Sequence, residues 1–453
     1  MRPSFAFALL VVVTGVAHAQ DRPDRALVSY VDSVANAAVA DHRTPGLAVA
    51  IVKRGKIVVA KGYGYADLEN DVPATAETVF RIGSITKQFT AAGIMRLEEQ
   101  GKLSLDDTLQ KFLPNYPTQG NRVTIRHLLN HTSGIKNYTT LGPKWQRVMR
   151  LDMVPDSLAA LFAAEPFDFK PGDRWLYDNS GYFLLGMVIE KISGKAYGQY
   201  LQDELFTPLG LKNTLYCDQA RLIKHRAQGY ANKPNGQFGN AEPLSMTLPY
   251  AAGSLCSTVG DLAMWTAALA GGKVVSLASY KQMTTPVALN NGQPLTYGFG
   301  LRLSTLRGHG QIGHNGGING FISELHHYVD DSVVTVVLTN VGNTTATQIE
   351  KLIATRALGI PDTAAVPLSA TELARYEGTY QLPRLRVKMF AENGRRSSQG
   401  EGQGVIHLKH LGGGRFVAED NDDIRIEFPA AGAPAPNVVI RQAGTATTAP
   451  RVP

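Results

Sequence analysis

Long apolar segments are scarce in this sequence. The clearest one, Phe5–Val13, lies near the N-terminus and is too short to span a bilayer as a permanent helix. It is followed by the small-residue pattern AHA at 17–19, so the sequence predicts a cleavable secretory signal over residues 1–19, cut near Ala19. Gln20 rather than a cysteine comes next, and no later stretch is apolar enough to cross a membrane. We therefore expect a periplasmic or secreted protein without a stable membrane anchor.

Cysteine is also scarce, with only Cys217 and Cys256 in 453 residues. An exported protein can form a disulfide, and this chain offers a single pairing. The alternative is two buried thiols, because free cysteine is often buried. The sequence leaves both readings open.

Concentrated positive charge and metal-binding clusters are missing as well. The formal net charge is +7, but no run of Lys and Arg and no basic stripe interleaved with aromatic residues occurs, so nucleic acid is not an expected partner. His127 and His131 stand four apart, but no third ligand follows them, so we expect no metal. Neither a GxSxG elbow nor a phosphate loop is present, which argues against an α/β-hydrolase and against a phosphate-loop nucleotide site. No cofactor is expected.

The order of patterns along the chain predicts a large α+β domain over residues 20–361. Residues 25–41 have helical spacing, residues 47–52 and 57–60 form a hairpin pattern, and residues 101–283 are mostly helical. Strand patterns return at 297–303, 320–329 and 333–339, before a last helix over 344–358. Strands at both ends of a domain predict an antiparallel sheet flanked by helices, with an all-helical subdomain inserted in it.

The character of the sequence changes after residue 361. Residues 362–371 resemble a linker rich in Pro, Ala, Ser and Thr, and residues 372–445 contain short β-like runs separated by Gly and Asn/Asp. We expect a small barrel or sandwich made only of strands there. Residues 446–453 are predicted to form a disordered tail.

The segment SITK at 84–87 places a serine three residues before a lysine where a helical pattern begins. On a helix these two side chains share a face, and the helix N-terminus favours developing negative charge. A second match, SGIK at 133–136, is followed by no apolar helical period. Ser84 is therefore the better candidate for a nucleophile, and Lys87 is the candidate base.

Two further short patterns contain polar groups suited to catalysis. The segment YDN contains Tyr177 and Asn179, although YAN at 230–232 matches equally well. The segment HNGG contains His314 and Asn315 followed by two glycines, which is typical of a strand edge that a ligand approaches closely. Taken alone, each of these patterns is more often structural than catalytic.

Taken in order, these motifs resemble the serine β-lactamase and penicillin-binding-protein superfamily, and specifically its class C β-lactamase-like branch. LLNHTSG at 128–134, PLGL at 208–211 and GSLCSTVGDL at 253–262 also look like signatures of that family. The resemblance covers roughly residues 25–358 and accounts for the rival SGIK as part of a structural signature. The C-terminal module is similar to the lipocalin-like domains appended to some serine peptidases of this family.

The resemblance implies a catalytic role for three side chains. Ser84 would attack the substrate, and Lys87 would take or relay its proton. Tyr177 would protonate the leaving group and help to activate the deacylating water. The oxyanion hole would consist of the backbone N–H groups of Ser84 and Gly317.

The resemblance also implies a set of substrate-binding residues. Asn179 would hold the substrate amide, while His314, Asn315 and Gly316 would bind the substrate along the third motif. The related β-lactamases usually have Lys and Thr at the positions of His314 and Asn315, and a neutral imidazole is a weaker anchor for an anion than an ammonium. Efficient hydrolysis of β-lactams is therefore less expected than the fold itself.

These inferences predict an exported serine hydrolase that forms an acyl-enzyme on Ser84. Its expected substrates are small molecules or short peptides, namely β-lactams, peptides with D-amino acids, or esters. The alternative is a penicillin-binding or sensing protein that β-lactams acylate without efficient turnover. The sequence leaves the oligomeric state open.

Overall fold

The computed structural model describes residues 21–361, 366–383, 385–392, 395–419, 421–429, 434–442 and 445–453. The predicted signal peptide over residues 1–19, including its cleavage point at Ala19, lies outside these residues. Residues 362–365 of the predicted linker also lie outside them.

The helices formed by the described residues are numbered in chain order. They are α1 (Asp21–Ala40), α2 (Thr86–Glu99), α3 (Leu109–Phe112), α4 (Ile125–Leu129), α5 (Pro143–Val148), α6 (Pro155–Ala163), α7 (Asn179–Ser193), α8 (Tyr197–Leu201), α9 (Thr207–Leu209), α10 (Tyr250–Gly253), α11 (Val259–Ala270), α12 (Leu277–Met283), α13 (Thr345–Ala357) and α14 (Ala370–Tyr376). Single 3₁₀ turns at Gly83–Ile85 and Tyr138–Thr140 precede or join these helices. No helix within the described ranges combines the length and apolar character needed to cross a bilayer.

The strands are numbered in the same way. They are β1 (Gly46–Lys53), β2 (Lys56–Asp67), β3 (Val72–Pro73), β4 (Phe80–Arg81), β5 (Leu215–Tyr216), β6 (Tyr230–Asn232), β7 (Phe238–Asn240), β8 (Leu255–Ser257), β9 (Arg302–Leu306), β10 (His309–Ile318), β11 (Phe321–Tyr328), β12 (Val333–Thr339), β13 (Gly378–Gln381), β14 (Arg386–Glu392), β15 (Arg395–Gly400), β16 (Val405–His410), β17 (Arg415–Ala418), β18 (Asn421–Glu427), β19 (Asn437–Gln442) and β20 (Thr445–Val452).

An antiparallel sheet of seven strands forms the centre of the large domain, in the order β3-β2-β1-β12-β11-β10-β9. The hairpin β1–β2 comes from the start of the chain, and β1 pairs with β12 so that Leu47 faces Thr339. The sheet is thus assembled from both ends of the domain, with the helical segments between them. This arrangement confirms the predicted α+β class with its inserted helical subdomain.

Both faces of the sheet are covered, because the side chains of β1 alternate between two hydrophobic cores. Leu47, Val49 and Ile51 pack against α1 and α13 in one core. Ala48 and Ala50 point to the opposite face, where the other core includes buried residues of α2 and α7. A strand buried on both sides reads as a continuous apolar run, as this one does.

Strands β9 and β10 both differ from the sequence prediction. It placed a strand at 297–303 and placed HNGG at the edge of a strand. Strand β9 begins at Arg302, and β10 contains the whole HNGG segment. Its residues Gly313, Gly316 and Gly317 provide no apolar alternation, so the pattern on which strand prediction depends is absent here.

The C-terminal residues form a closed eight-stranded barrel, β13 to β20. Its core, which includes Tyr376, Phe416 and Phe428, is separate from the two cores of the large domain. The predicted disordered tail at 446–453 is wrong, because β20 occupies Thr445–Val452 and pairs with both β19 and β13. The small β domain predicted over residues 372–445 does not begin with a strand, because α14 spans Ala370–Tyr376 and precedes β13.

Candidate active site

The candidate nucleophile, Ser84, lies in the 3₁₀ turn directly before α2 and is half-buried. Gly83 has a φ of 49°, and a Cβ atom at this position would lie 2.9 Å from the backbone nitrogen of Gly317. A glycine is required for both reasons, since L-residues with side chains rarely adopt this φ and the two backbones nearly touch. The turn therefore holds Ser84 against β10 at the entrance of α2.

Lys87 follows one turn later and is completely buried. Its Nζ lies 3.1 Å from Ser84 Oγ, 2.8 Å from Asn179 Oδ1 and 2.9 Å from the carbonyl oxygen of Ala252. The last two atoms only accept hydrogen bonds. A neutral amine would donate its two hydrogens to them and direct its lone pair at the Ser84 hydroxyl.

Electrostatics favour that neutral amine. Burial lowers the pKa of Lys87 well below its ordinary value, and the positive charge of Arg302 lowers it further, while Asp178 opposes the shift. No carboxylate makes a hydrogen bond to Nζ among the described residues. Lys87 is thus placed and tuned as a base for the serine.

The aromatic ring of Tyr177 lies next to the Lys87 amine. The ring centroid is 4.7 Å from Lys87 Nζ, and the buried hydroxyl has no hydrogen-bond partner among the described residues. Burial raises the pKa of Tyr177 above its ordinary value, and the neighbouring Ser84 hydroxyl partly offsets this rise. The phenol stays protonated and holds an unused hydrogen beside the nucleophile.

Asp178 and Asn179 form the start of α7. The Asp178 carboxyl caps the helix by accepting from the N–H groups of Ser180 and Gly181, at 2.7 and 2.9 Å. It therefore points into the helix terminus rather than toward a substrate. Asn179 spans the site, accepting from Lys87 through Oδ1 and donating through Nδ2 to Thr139 Oγ1 at 3.3 Å.

The predicted oxyanion donors lie next to each other. The β10–β11 hairpin closes with Ile318 opposite Phe321. Because hydrogen-bonded and non-hydrogen-bonded pairs alternate in an antiparallel ladder, the N–H of Gly317 faces away from β11. That direction is toward the Gly83–Ser84 turn, as the close approach of Gly83 to the Gly317 nitrogen requires.

His314, whose side chain the sequence predicts to bind substrate, lies in β10 and is buried. The imidazole is only 1% exposed, its Nε2 is 2.9 Å from Tyr297 Oη, and its Nδ1 donates to the carbonyl oxygen of Asn315. Burial lowers the pKa of His314 well below its ordinary value. The ring is neutral, and both of its nitrogens are hydrogen-bonded.

The neighbours of His314 divide into two groups. Gly316 is buried, and a Cβ atom at this position would lie 2.0 Å from the carbonyl oxygen of Ile82, so Gly316 packs closely against the segment before Ser84. Asn315 is exposed.

Arg302 is a residue that the sequence prediction missed. It is the first residue of β9 and pairs with Gly313 in the ladder. Its exposed guanidinium carbon lies 5.8 Å from the ring centroid of Tyr177. Nothing in the local sequence marks it, because its position depends on the pairing of β9 with β10.

A cavity of about 290 Å³ opens next to Ser84. Its polar lining includes Ser84, Asn179 and Thr139, and its apolar lining includes Tyr138 and Trp145. This volume is large enough for a small side chain or ring of a substrate whose carbonyl carbon lies next to Ser84.

The rival motifs are structural in the fold. Ser133 is 1% exposed, and its hydroxyl accepts from the N–H of Ile135, while Lys136 forms an ion pair with Asp168. In the second YxN match, the Tyr230 hydroxyl accepts from the N–H of Leu68.

Cys217 and Cys256 form a disulfide in the structure, which decides between the disulfide and the two buried thiols that the sequence left open. Cys256 lies in β8, which pairs with β4 just before Ser84 and with β5 on the other side. The disulfide therefore ties the segment behind the nucleophile to the segment around Cys217. Within the described part of the chain, no three His, Cys, Asp or Glu side chains are grouped so that they could hold a metal ion.

The sequence profile described as Beta-lactamase matches residues 31–359, which is most of the chain. The chain belongs to the beta-lactamase family. Among curated members and relatives, penicillin-binding protein 4* of Bacillus subtilis (strain 168) is 33% identical over 301 residues, which make up 63% of this chain and 66% of that protein. The matched region spans less than two thirds of the length of the first curated relatives.

Solved structures of the beta-lactamase fold match over larger shares. The octameric penicillin-binding protein homologue from Pyrococcus abyssi has a TM-score of 0.67 and 27% identity, covering 93% of this chain and 99% of that one. The D-stereospecific amidohydrolase from Streptomyces sp. has a TM-score of 0.63 and 28% identity, covering 74% and 99%.

Proposed function

We propose that this member of the beta-lactamase family is a serine hydrolase that cleaves amide or ester bonds through an acyl-enzyme on Ser84. The observation that carries the proposal is the burial of Lys87, whose Nζ lies 3.1 Å from Ser84 Oγ with its other two contacts made to acceptors. A serine next to a neutral amine is an activated nucleophile.

The acylation step follows from these contacts. Ser84 Oγ bonds to the carbonyl carbon while its proton moves to Lys87 Nζ. The negative charge on the carbonyl oxygen is stabilised by the N–H groups of Ser84 and Gly317. The leaving nitrogen or oxygen then takes the Tyr177 proton, and the Lys87 ammonium gives up its extra proton to restore the phenol of Tyr177.

Deacylation uses the same groups. Water attacks the ester of Ser84, its proton passes to the Tyr177–Lys87 pair, and the carbon–oxygen bond to Ser84 breaks as Ser84 Oγ is protonated again. The net reaction consumes one water and releases an acid and an amine or alcohol. No cofactor takes part in these steps.

The charges around the cleft favour substrates with a carboxylate near the leaving group. His314 is neutral and bonded to Tyr297, so it supplies no positive charge. Arg302 is exposed above the Tyr177 ring and supplies that charge instead. Peptides ending in D-amino acids and β-lactams both have such a carboxylate, and the amidohydrolase from Streptomyces sp. is named as D-stereospecific.

Trapping of β-lactams without turnover is the second candidate function. It is favoured by the similarity to penicillin-binding protein 4* of Bacillus subtilis. The unpartnered Tyr177 hydroxyl beside Ser84 argues for turnover, because it provides a proton carrier for the water step.

We further propose that the protein acts outside the cytoplasm, as the signal pattern over residues 1–19 suggests. We also propose that it forms an oligomer, like the octameric structural relative.

The test incubates the protein and a Ser84→Ala variant with a chromogenic β-lactam, a p-nitrophenyl ester and a D-alanyl peptide. Product formation and intact mass are followed together. We expect turnover with at least one substrate and a transient mass increase that Ser84→Ala abolishes. A persistent adduct without product would favour trapping, and equal activity of Ser84→Ala would rule out the site.

A further inference from the structure

The signature histidine His131 stands out among the buried polar residues near the site. It is 1% exposed and has a φ of 62°, in the left-handed region that residues other than glycine adopt only at a cost. Its Nε2 is buried without a hydrogen-bond partner among the described residues. A strained backbone and a buried unpaired nitrogen are retained only where other contacts compensate for them.

The compensating contacts of His131 lie on both sides of Tyr177. The His131 carbonyl oxygen accepts from the N–H of Leu176 at 3.1 Å. Its ring Nδ1 accepts from the N–H of Asp178, also at 3.1 Å. One residue thus fixes the backbone immediately before and immediately after the tyrosine.

The ring of His131 also contacts the tyrosine side chain. The two ring centroids are 4.4 Å apart, and the centroid of Tyr297 is 4.6 Å away on another side. Because Nδ1 accepts a hydrogen bond, the proton of the neutral ring is on Nε2. Burial lowers the pKa of His131 well below its ordinary value, so this neutral form persists.

The left-handed conformation makes both contacts available to one residue. It lets the carbonyl of His131 reach Leu176 while the side chain turns back to Asp178. The neighbouring carbonyl of Thr132 accepts from Gly172 at 2.9 Å, so the whole 131–132 segment is paired with the chain leading to Tyr177.

We propose that His131 is a positioning residue that holds the Tyr177 phenol in line with Ser84. This inference rests on the proposed function, because it assigns to Tyr177 the transfer of the leaving-group proton. A proton donor displaced by about 1 Å loses on the order of 100-fold in rate, so the contacts of His131 control the chemical step rather than substrate affinity. No contact with substrate is assigned to His131 itself.

The experiment compares two substitutions that both tolerate the left-handed backbone. His131→Asn keeps an oxygen acceptor for the N–H of Asp178, whereas His131→Gly removes the acceptor and the ring without adding strain. His127→Asn is the matched control. The His127 ring accepts a hydrogen bond from the N–H of Thr124 at the start of α4, and this contact does not involve the segment around Tyr177. Each variant is assayed for kcat and KM with the substrate found for the wild type, and for thermal unfolding.

We expect His131→Gly to lower kcat about 10- to 100-fold with KM changed less than about threefold. His131→Asn should recover most of that loss, and His127→Asn should match the wild type. Wild-type kcat in His131→Gly would overturn the inference. Equal losses of kcat in the Asn and Gly variants would also overturn it, because the Asp178 contact would then have no effect.

A second readout does not depend on the chemistry. Amide hydrogen exchange of the segment Leu176–Asn179 should accelerate in His131→Gly and stay slow in His131→Asn. Activity in Ser84→Ala would defeat the proposed function alone, whereas unchanged exchange in His131→Gly would defeat the positioning role.

Discussion

At the scale of single residues, burial shifts the pKa values of the neighbouring groups Lys87 and Tyr177 in opposite directions. Burial lowers the pKa of Lys87 and raises the pKa of Tyr177, since it disfavours the charged form of each. A base and an acid are therefore present together near neutral pH. Such opposed shifts are the pattern by which catalytic acids and bases are recognised.

The pH dependence of kcat/KM tests this separation. Activity requires neutral Lys87, so the acid limb should lie well below the ordinary pKa of lysine, which is about 10.4. Activity also requires protonated Tyr177, so the alkaline limb should lie above the ordinary tyrosine value of about 10. Tyr177→Phe should lower kcat/KM about 100-fold or more and remove the alkaline limb, whereas Tyr65→Phe on β2 should change neither. An acid limb near 10 would contradict the assignment of Lys87.

Arg302 provides a second prediction for a single residue. Arg302→Gln removes the exposed charge above Tyr177, so kcat/KM for a D-alanyl peptide with a free carboxylate should fall about 10- to 100-fold. The value for p-nitrophenyl acetate, which has no carboxylate, should stay within about twofold. Arg54→Gln in the β1–β2 turn is the control for general loss of positive charge. Equal losses for both substrates would contradict the role of Arg302 as a carboxylate anchor.

The motif residues could be predicted from the sequence because their chemistry is local. Ser84 and Lys87 share one turn of helix, and Tyr177 and Asn179 flank the start of another. Arg302 could not be predicted, because it reaches Tyr177 only through the pairing of β9 with β10. The hydrogen bond between His314 Nε2 and Tyr297 could not be predicted either, because only the fold brings these two residues together.

At the scale of elements, the cap of α7 links stability to pH. Burial raises the pKa of Asp178 from 3.8 to about 7. Because the folded state binds this proton more tightly than the unfolded state, stability should fall as the pH rises from about 4 to 7.

Asp178→Asn tests this effect, because the amide oxygen still caps the helix but does not titrate. Its Tm, relative to the wild type, should be higher at pH 8 than at pH 5. Asp156→Asn at the start of α6 serves as the control for removal of a carboxylate. A Tm difference that does not change between the two pH values would show that Asp178 is not protonated preferentially in the folded protein.

The elements predicted best are those with a clear apolar period. Helix α1 buries Leu27, Val31 and Ala35 at the expected spacing, and the β1–β2 hairpin lies where alternation and a Gly-containing turn predict it. Strand β20 was missed because TATTAPRV has little apolar character and gains its hydrogen bonds from β13 and β19. Helix α14 had a usable signal, since Ser369 and Glu372 form a capping box.

At the scale of the molecule, the large domain and the barrel have separate cores. No barrel strand joins the seven-stranded sheet, and the barrel core draws only on residues after 361. A chain ending at residue 361 should therefore fold and keep its acyl-enzyme chemistry on Ser84. The measurement is the rate of adduct formation by intact mass, together with thermal unfolding. Loss of folding in the shortened chain would show that the barrel supports the large domain.

The pairing of β1 with β12 also has a consequence for biosynthesis. Leu47 emerges from the ribosome early, but its partner Thr339 follows almost three hundred residues later, so β1 has only its hairpin partner β2 during most of translation. The barrel has the same property, since Thr379 closes it against Val452 near the end of the chain. Neither domain is complete until its last strand has been made. Because these closing contacts join residues far apart in the chain, folding of both domains should be slow.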